Sequence, residues 1–158
     1  MTVTNEQKAL DEIAAVFRDD EKAAATAQRI AQIIRVAGGY GCVSIYGVTQ
    51  TEIVALGWTG TEEPAHMRFP VTRGLTGVVV KERTPLVLGD VRKDPRYLVA
   101  FTQTRSEMIV PVIGAGGMIV GTINIDSERE NAFSDQDLRF VEQCAKKMTP
   151  LFTMPGMA

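Results

Sequence analysis

The sequence predicts an α+β domain: a sheet with its long helices gathered on one face and loops plus a short helix over the other. Three observations carry that expectation. The hydrophobic period is helical up to about residue 38, switches to alternation near residue 42, and becomes helical again after residue 134. The resulting order is helix, helix, strands, short helix, strands, helix. The length of 158 residues, with 45% hydrophobic and 23% charged residues, suits a single domain that needs no disulfide or metal to hold it. The expected division is 1–38 for the N-terminal helices, 40–133 for the sheet and pocket, and 134–152 for the C-terminal helix.

Along the chain, Thr4-x-x-Gln7 reads as a capping box, followed by Leu10, Ile13, Ala14 and Phe17 at helical spacing. After Arg18-Asp19-Asp20 a second helix presents Ala23, Ala27, Ile30, Ile34 and Ala37, and Gly38-Gly39 ends it. Cys42 to Val48 and Glu52 to Trp58 form a strand pair around the turn Thr49-Gln50-Thr51. Met67 to Val71 alternates as a short third strand. Gly74 to Arg83 is expected to be a short helix and Pro85 to Leu88 a fourth strand. Asp90 to Arg105 reads as a loop with one helical turn. Ser106 to Ile113 and Met118 to Asp126 make a hairpin around Gly114-Ala115-Gly116-Gly117. Ser134, backed by Asp135 and Asp137, caps a final helix with the stripe Leu138, Val141, Ala145, Met148 and Phe152.

The composition narrows the function classes. Seventeen basic against nineteen acidic residues give a net charge of −2, and no basic run exists to track nucleic-acid phosphates. No apolar stretch reaches the roughly 20 residues that span a bilayer, and the polar N-terminus has no signal-peptide pattern, so a cytoplasmic protein is expected. Cys42 and Cys144 lie far apart without a neighbouring histidine and read as buried thiols. His66, the single histidine, cannot build a multi-histidine metal site. Neither a metal nor a cofactor is expected.

Five motifs in order carry a family resemblance. They are Gly74-Leu75-Thr76-Gly77, Asp90-Val91 with Asp94-Pro95-Arg96-Tyr97, Ser106 to Val112, Gly121 to Ser127, and Phe133-Ser134-Asp135 with Asp137. The chain resembles the GAF family, which implies a six-stranded antiparallel sheet with long helices on one side and a ligand pocket on the other. Within that family, Tyr46, Pro70 to Gly77, Ser106 to Pro111 and Asn124 to Ser127 look like the free methionine-(R)-sulfoxide reductases. The resemblance places the three redox cysteines of those enzymes at His66, Thr76 and Ala100, none of which is a thiol. Sulfoxide reduction by that route needs a thiolate nucleophile and a resolving thiol. Cys42 and Cys144 are not expected to replace them. The same resemblance implies that Glu107 and Asp126 match two carboxylates that hold a ligand ammonium, while Asn124 stands where a third acid is expected.

Other branches fit less well. Asp126-Ser127 replaces the Asn-Lys pair typical of cyclic-nucleotide binders, and residues 92–105 lack the cysteine or histidine that bilin binding requires. The expected function is therefore a non-enzymatic small-molecule sensor. Its ligand is expected to be small, polar and cationic, contacted by Glu107, Asp126, Asn124, Tyr46, Tyr97, Phe101, Trp58 and Thr76. A homodimer through the terminal helices, with no direct nucleic-acid or membrane partner, is expected to carry the output. Two alternatives stand beside it: a diverged reductase, and a dimeric scaffold whose pocket is filled by its own side chains. Each residue also has a structural reading. Glu107 pairs equally well with Arg73, Arg96 or Arg105, Asp126 suits a turn, and the aromatic side chains suit ordinary core packing.

Overall fold

The computed structural model describes residues 3–60 and 63–157, with side chains from residue 5 onward. Among these, helices α1 (Val3–Ala15) and α2 (Ala23–Gly38) precede strands β1 (Cys42–Val48), β2 (Glu52–Thr59) and β3 (Arg68–Pro70). Helix α3 (Gly74–Glu82), strand β4 (Leu86–Leu88), the hairpin β5 (Ser106–Ile113) and β6 (Ile119–Ser127), and helix α4 (Asp135–Lys147) follow. The strands form one six-stranded sheet in the order β3-β2-β1-β6-β5-β4, and every neighbouring pair is antiparallel.

The alternation read in the sequence sorts each strand's side chains between two layers. Val43 and Ile45 of β1, Ile123 and Ile125 of β6, and Met108 and Val110 of β5 face the long helices. There they meet Ile13 of α1, Ile30 and Ile34 of α2, and Phe140, Val141 and Cys144 of α4. Ile30, Ile34, Ile123 and Ile125 are wholly buried, each worth about 1.5–3 kcal/mol of transfer free energy. Ala14, expected on the inner stripe of α1, is exposed and Ala9 is buried in its place. On α4 the stripe of Val141, Ala145 and Met148 is buried as expected, and Phe140 and Cys144 widen it.

Two glycines set how closely these layers approach. At Gly57 of β2 a Cβ would lie 2.6 Å from the backbone nitrogen of Gln28, so α2 rests on the strand backbone itself. At Gly121 of β6 it would lie 2.3 Å from the Phe152 ring. The final helix is shorter than its apolar stripe suggested: α4 stops at Lys147, and Thr149–Thr153 continues as a 3-10 turn containing Pro150. Proline removes the backbone donor that a longer α-helix would need. That turn is what lays Phe152 across Gly121.

The start of α4 is fully capped. Ser134 Oγ accepts from the Asp137 backbone N–H at 3.2 Å, and Asp137 Oδ2 accepts from the Ser134 N–H at 2.8 Å. Asp137 also accepts from the Tyr40 hydroxyl at 2.8 Å, joining the helix to the lead-in of β1. Ser134→Ala is expected to cost about 1 kcal/mol, read as a fall of roughly 2–4 °C in Tm by calorimetry. The other cap expected from sequence involves Thr4, whose side chain lies outside the described residues; α1 itself begins at Val3.

Candidate functional site

On the face away from the long helices, antiparallel register arranges side chains from β1, β6 and β5 in rows. Cys42, Asp126 and Glu107 form one row, because Cys42 and Glu107 each lie opposite Asp126. Ser44, Asn124 and Ile109 form the next, followed by Tyr46, Thr122 and Pro111. Helix α3 packs over the middle of these rows, with Leu75 and Val79 against Ile109.

The polar groups of this floor hold one another. Asn124 donates from Nδ2 to Thr76 Oγ1 at 2.8 Å and accepts at Oδ1 from Thr122 Oγ1 at 2.7 Å. Thr104, on the loop covering the site, donates from Oγ1 to Asp126 Oδ2 at 2.8 Å. Ser44 Oγ and the Tyr97 hydroxyl are buried without a partner in hydrogen-bonding geometry, although Tyr46 and Thr104 lie near them respectively. Buried polar atoms of that kind are uncommon in folded proteins.

Glu107 and Asp126 are both 4% exposed and hydrogen-bonded to each other. Burial, reinforced by the neighbouring Asp126 charge, holds the Glu107 carboxyl well above the usual carboxylate range. Burial also raises Asp126, to about 6, while hydrogen bonds from Glu107 and Thr104 offset part of that rise. Two carboxyls this close cannot both ionise cheaply, so near neutral pH the pair keeps one proton and carries about one negative charge. The hydroxyls of Tyr46 and Tyr97 are pushed upward first by burial and then by the charge of this pair.

The covering loop is tied down at both ends. Val91 donates to the Arg105 carbonyl, and Arg105 donates to that of Ser127, both at 2.7 Å. The expected helical turn is Val91–Lys93, capped by Asp90, whose carboxylate accepts from the Arg92 N–H at 3.0 Å. The Arg92 side chain holds the Asp90 carboxyl down at about 2, and Arg96 does the same in kind to Asp94. Arg96 is thereby engaged on the surface, and Glu107 faces Asp126 instead of an arginine.

Between floor and loop lies a pocket of only about 20 Å³, bordered by Tyr46, Glu107 and Asn124 on the floor, by Thr76 of α3, and by Leu98 and Ala100 of the loop. That is room for about one water. A wider cleft of about 600 Å³ opens at the end of the sheet, lined by Cys42, Asp126, Arg35 and Arg129 and by residues 101–104 of the loop. The loop thus borders both cavities, Leu98 and Ala100 the first and residues 101–104 the second.

Of the eight ligand contacts expected from sequence, Glu107, Asn124, Tyr46 and Thr76 border the pocket, and Asp126 and Phe101 border the cleft. Tyr97 is half-buried against Leu75, Val79 and Ile109. Trp58 shares the sheet face, opposite Ser44, but borders neither cavity. Tyr46 packs edge-on against Phe69 with ring centroids 5.9 Å apart. The positions that the resemblance assigns to redox cysteines, His66, Thr76 and Ala100, all border the 20 Å³ pocket. Cys144 is buried in the helix-side core, where burial pushes its thiol up. Cys42 differs from expectation: register sets it directly opposite Asp126, on the site face. Ser44 and Thr104 were missed. Alternation from Tyr46 points to Ser44, whereas nothing local in residues 90–105 singles out Thr104.

Comparison with known proteins agrees with this geometry. The family model for the GAF domain matches residues 20–149. The chain is 28% identical over 98 residues, 62% of its length, to GAF domain-containing protein A of Dictyostelium discoideum. It is 31% identical over 74 residues, 47% of its length, to the free methionine-R-sulfoxide reductase of Saccharomyces cerevisiae. These alignments span 60% and 41% of the two relatives' own lengths. Among solved structures, the type II free methionine-R-sulfoxide reductase of Thermoplasma acidophilum superposes with a TM-score of 0.76 at 29% identity, covering 82% of this chain and 91% of that one.

Proposed function

Because this chain belongs to the GAF domain family, we propose that it is a non-enzymatic sensor that captures a small polar molecule bearing a cationic group. The observation that carries this reading is the buried Glu107–Asp126 pair at the sheet face, with no arginine or lysine in an ion pair with either carboxyl among the described residues. A buried anion of that kind is stabilised by an ammonium or guanidinium. Asn124, with Thr76 and Thr122, supplies neutral donors and acceptors beside it, and Tyr46 and Phe101 cover the apolar part. Movement of the loop from Asp90 to Arg105 then shifts the population of two states, which the terminal helices report as a homodimer. The exposed Val36 of α2, at 69%, supports an apolar contact on that helical face. No helix among the described residues is long and apolar enough to cross a membrane.

A second reading has one observation in its favour. The reductase relatives, together with Cys42 opposite Asp126, support thiol-dependent reduction of a free sulfoxide. One set of measurements separates the two. A thermal-shift screen against free amino acids, methionine sulfoxide, small amines and cyclic nucleotides is expected to show stabilisation by an amine or amino acid. At about 100 times Kd the gain is roughly 2.7 kcal/mol, and it disappears in Glu107→Gln/Asp126→Asn. Parallel incubation with methionine-R-sulfoxide and dithiothreitol is expected to yield no methionine. Turnover that is abolished in Cys42→Ser overturns the sensor reading in favour of the reductase.

A further inference from the structure

We propose that Thr104 is an internal occupant of the acid site, and that an incoming ammonium displaces both its hydroxyl and the proton shared by Glu107 and Asp126. This rests on the reading of the pair as a cation receptor. Asp126 now accepts from two donors, the Thr104 hydroxyl at 2.8 Å and Glu107. Those are the two places that the N–H groups of an ammonium take. The Asp126 oxygens that an ammonium would use are thus already engaged without a ligand, and binding is an exchange, not an addition.

Space leads to the same mechanism. The 20 Å³ pocket admits a headgroup and nothing attached to it, so part of residues 98–104 moves when a larger molecule binds. Residues 101–104 of that segment border the 600 Å³ cleft, which gives it room to move. The Thr104 hydroxyl joins the segment to Asp126 by a direct hydrogen bond between side chains. Breaking that bond loosens the segment, which the Ala65 N–H also holds through the Ala100 carbonyl at 2.8 Å, and the same event empties one acceptor of Asp126. Ligand capture and loop release are therefore one step.

The charge balance is explicit. The cation brings one positive charge, the pair loses one proton to solvent, and the site passes from one net negative charge to two carboxylates around one cation. The groups facing the pair are Cys42 and Tyr46 of β1, Tyr97 and Thr104 of the loop, and His66 at the pocket edge. Arg35, Glu128 and Arg129 stand farther out along the cleft. Burial and the mutual proximity of the two acids hold the proton, so the linkage lies in the pair itself.

Isothermal titration with n-butylammonium and with L-methionine sulfoxide, each at pH 6.5 in two buffers of different ionisation heat that carry no primary ammonium, phosphate and MES, tests this. The expected result is a buffer-dependent heat equivalent to release of about one proton per molecule bound, and affinity that rises up to tenfold per pH unit in this range. Thr104→Val, which keeps the shape and removes the competing hydroxyl, is expected to bind about tenfold tighter, and Thr104→Ser like the parent. Binding with no proton released, or weakened binding in Thr104→Val, overturns the exchange while leaving the cation receptor standing. Failure of both probes to bind the parent and Thr104→Val overturns the receptor as well. The proton count needs no variant and holds even if Thr104→Val folds poorly.

Discussion

Raising the pH from 5 to 7 is expected to destabilise the parent protein and to destabilise Glu107→Gln much less. The folded protein holds the Glu107 carboxyl well above its ordinary value, whereas the unfolded chain ionises it near 4.5. A raised carboxyl of this kind contributes full stability below its unfolded value and loses it as pH climbs through the folded one. With a proton held by the folded state and absent from the unfolded state, stability falls as pH rises through this window. Asp126, raised from 3.8 to about 6, adds a loss of the same sign that is complete shortly above pH 6. Asp90, held down at about 2, and Asp94, also lowered, act in the opposite sense but at lower pH, outside this window. Urea unfolding at pH 5, 6 and 7 gives both profiles. Parallel slopes for parent and variant would mean that Glu107 is not the proton carrier.

Gly57→Val is expected to cost about 3 kcal/mol or more and to leave much of the protein unfolded near its normal Tm. A Cβ at this position meets Gln28 N at 2.6 Å and the Ala27 carbonyl carbon at 2.7 Å, both backbone atoms of a helix. Neither turns aside as a side chain does, so α2 must lift from β2 and carry Ile30 and Ile34 with it. At Gly41, by contrast, a Cβ would lie 3.4 Å from the Asp126 carbonyl oxygen, close to ordinary contact, and Gly41→Ala is expected to stay within about 1 kcal/mol of the parent. Denaturant midpoints of the two variants compare a backbone clash within the sheet with a tolerated methyl group at the lead-in to β1.

Much of the fold was legible because local chemistry writes it down. Period-two alternation located β1 and β5 at their observed limits, and Ser134 with Asp137 marked the start of α4. The resemblance, not the periodicity, brought Glu107, Asn124 and Asp126 together as a site. Errors fell where helical period met tertiary contact. Ala14 matched an apolar stripe yet faces solvent, and the last helix ended early because Pro150 has no N–H to give.

By itself the sequence determined which segments are strands and helices, and which residues of each strand share a face. Those properties follow from spacing within a few residues, where the backbone's own geometry dictates the outcome. Only the tertiary structure decided that β6 lies between β1 and β5, with Cys42 and Glu107 flanking Asp126 in one row. It also decided that Thr104, 22 residues from Asp126, seats its hydroxyl there at the border of a 600 Å³ cleft. Strand order and loop closure join residues distant along the chain, and their free energy comes from the packing of the whole domain, which no local pattern encodes.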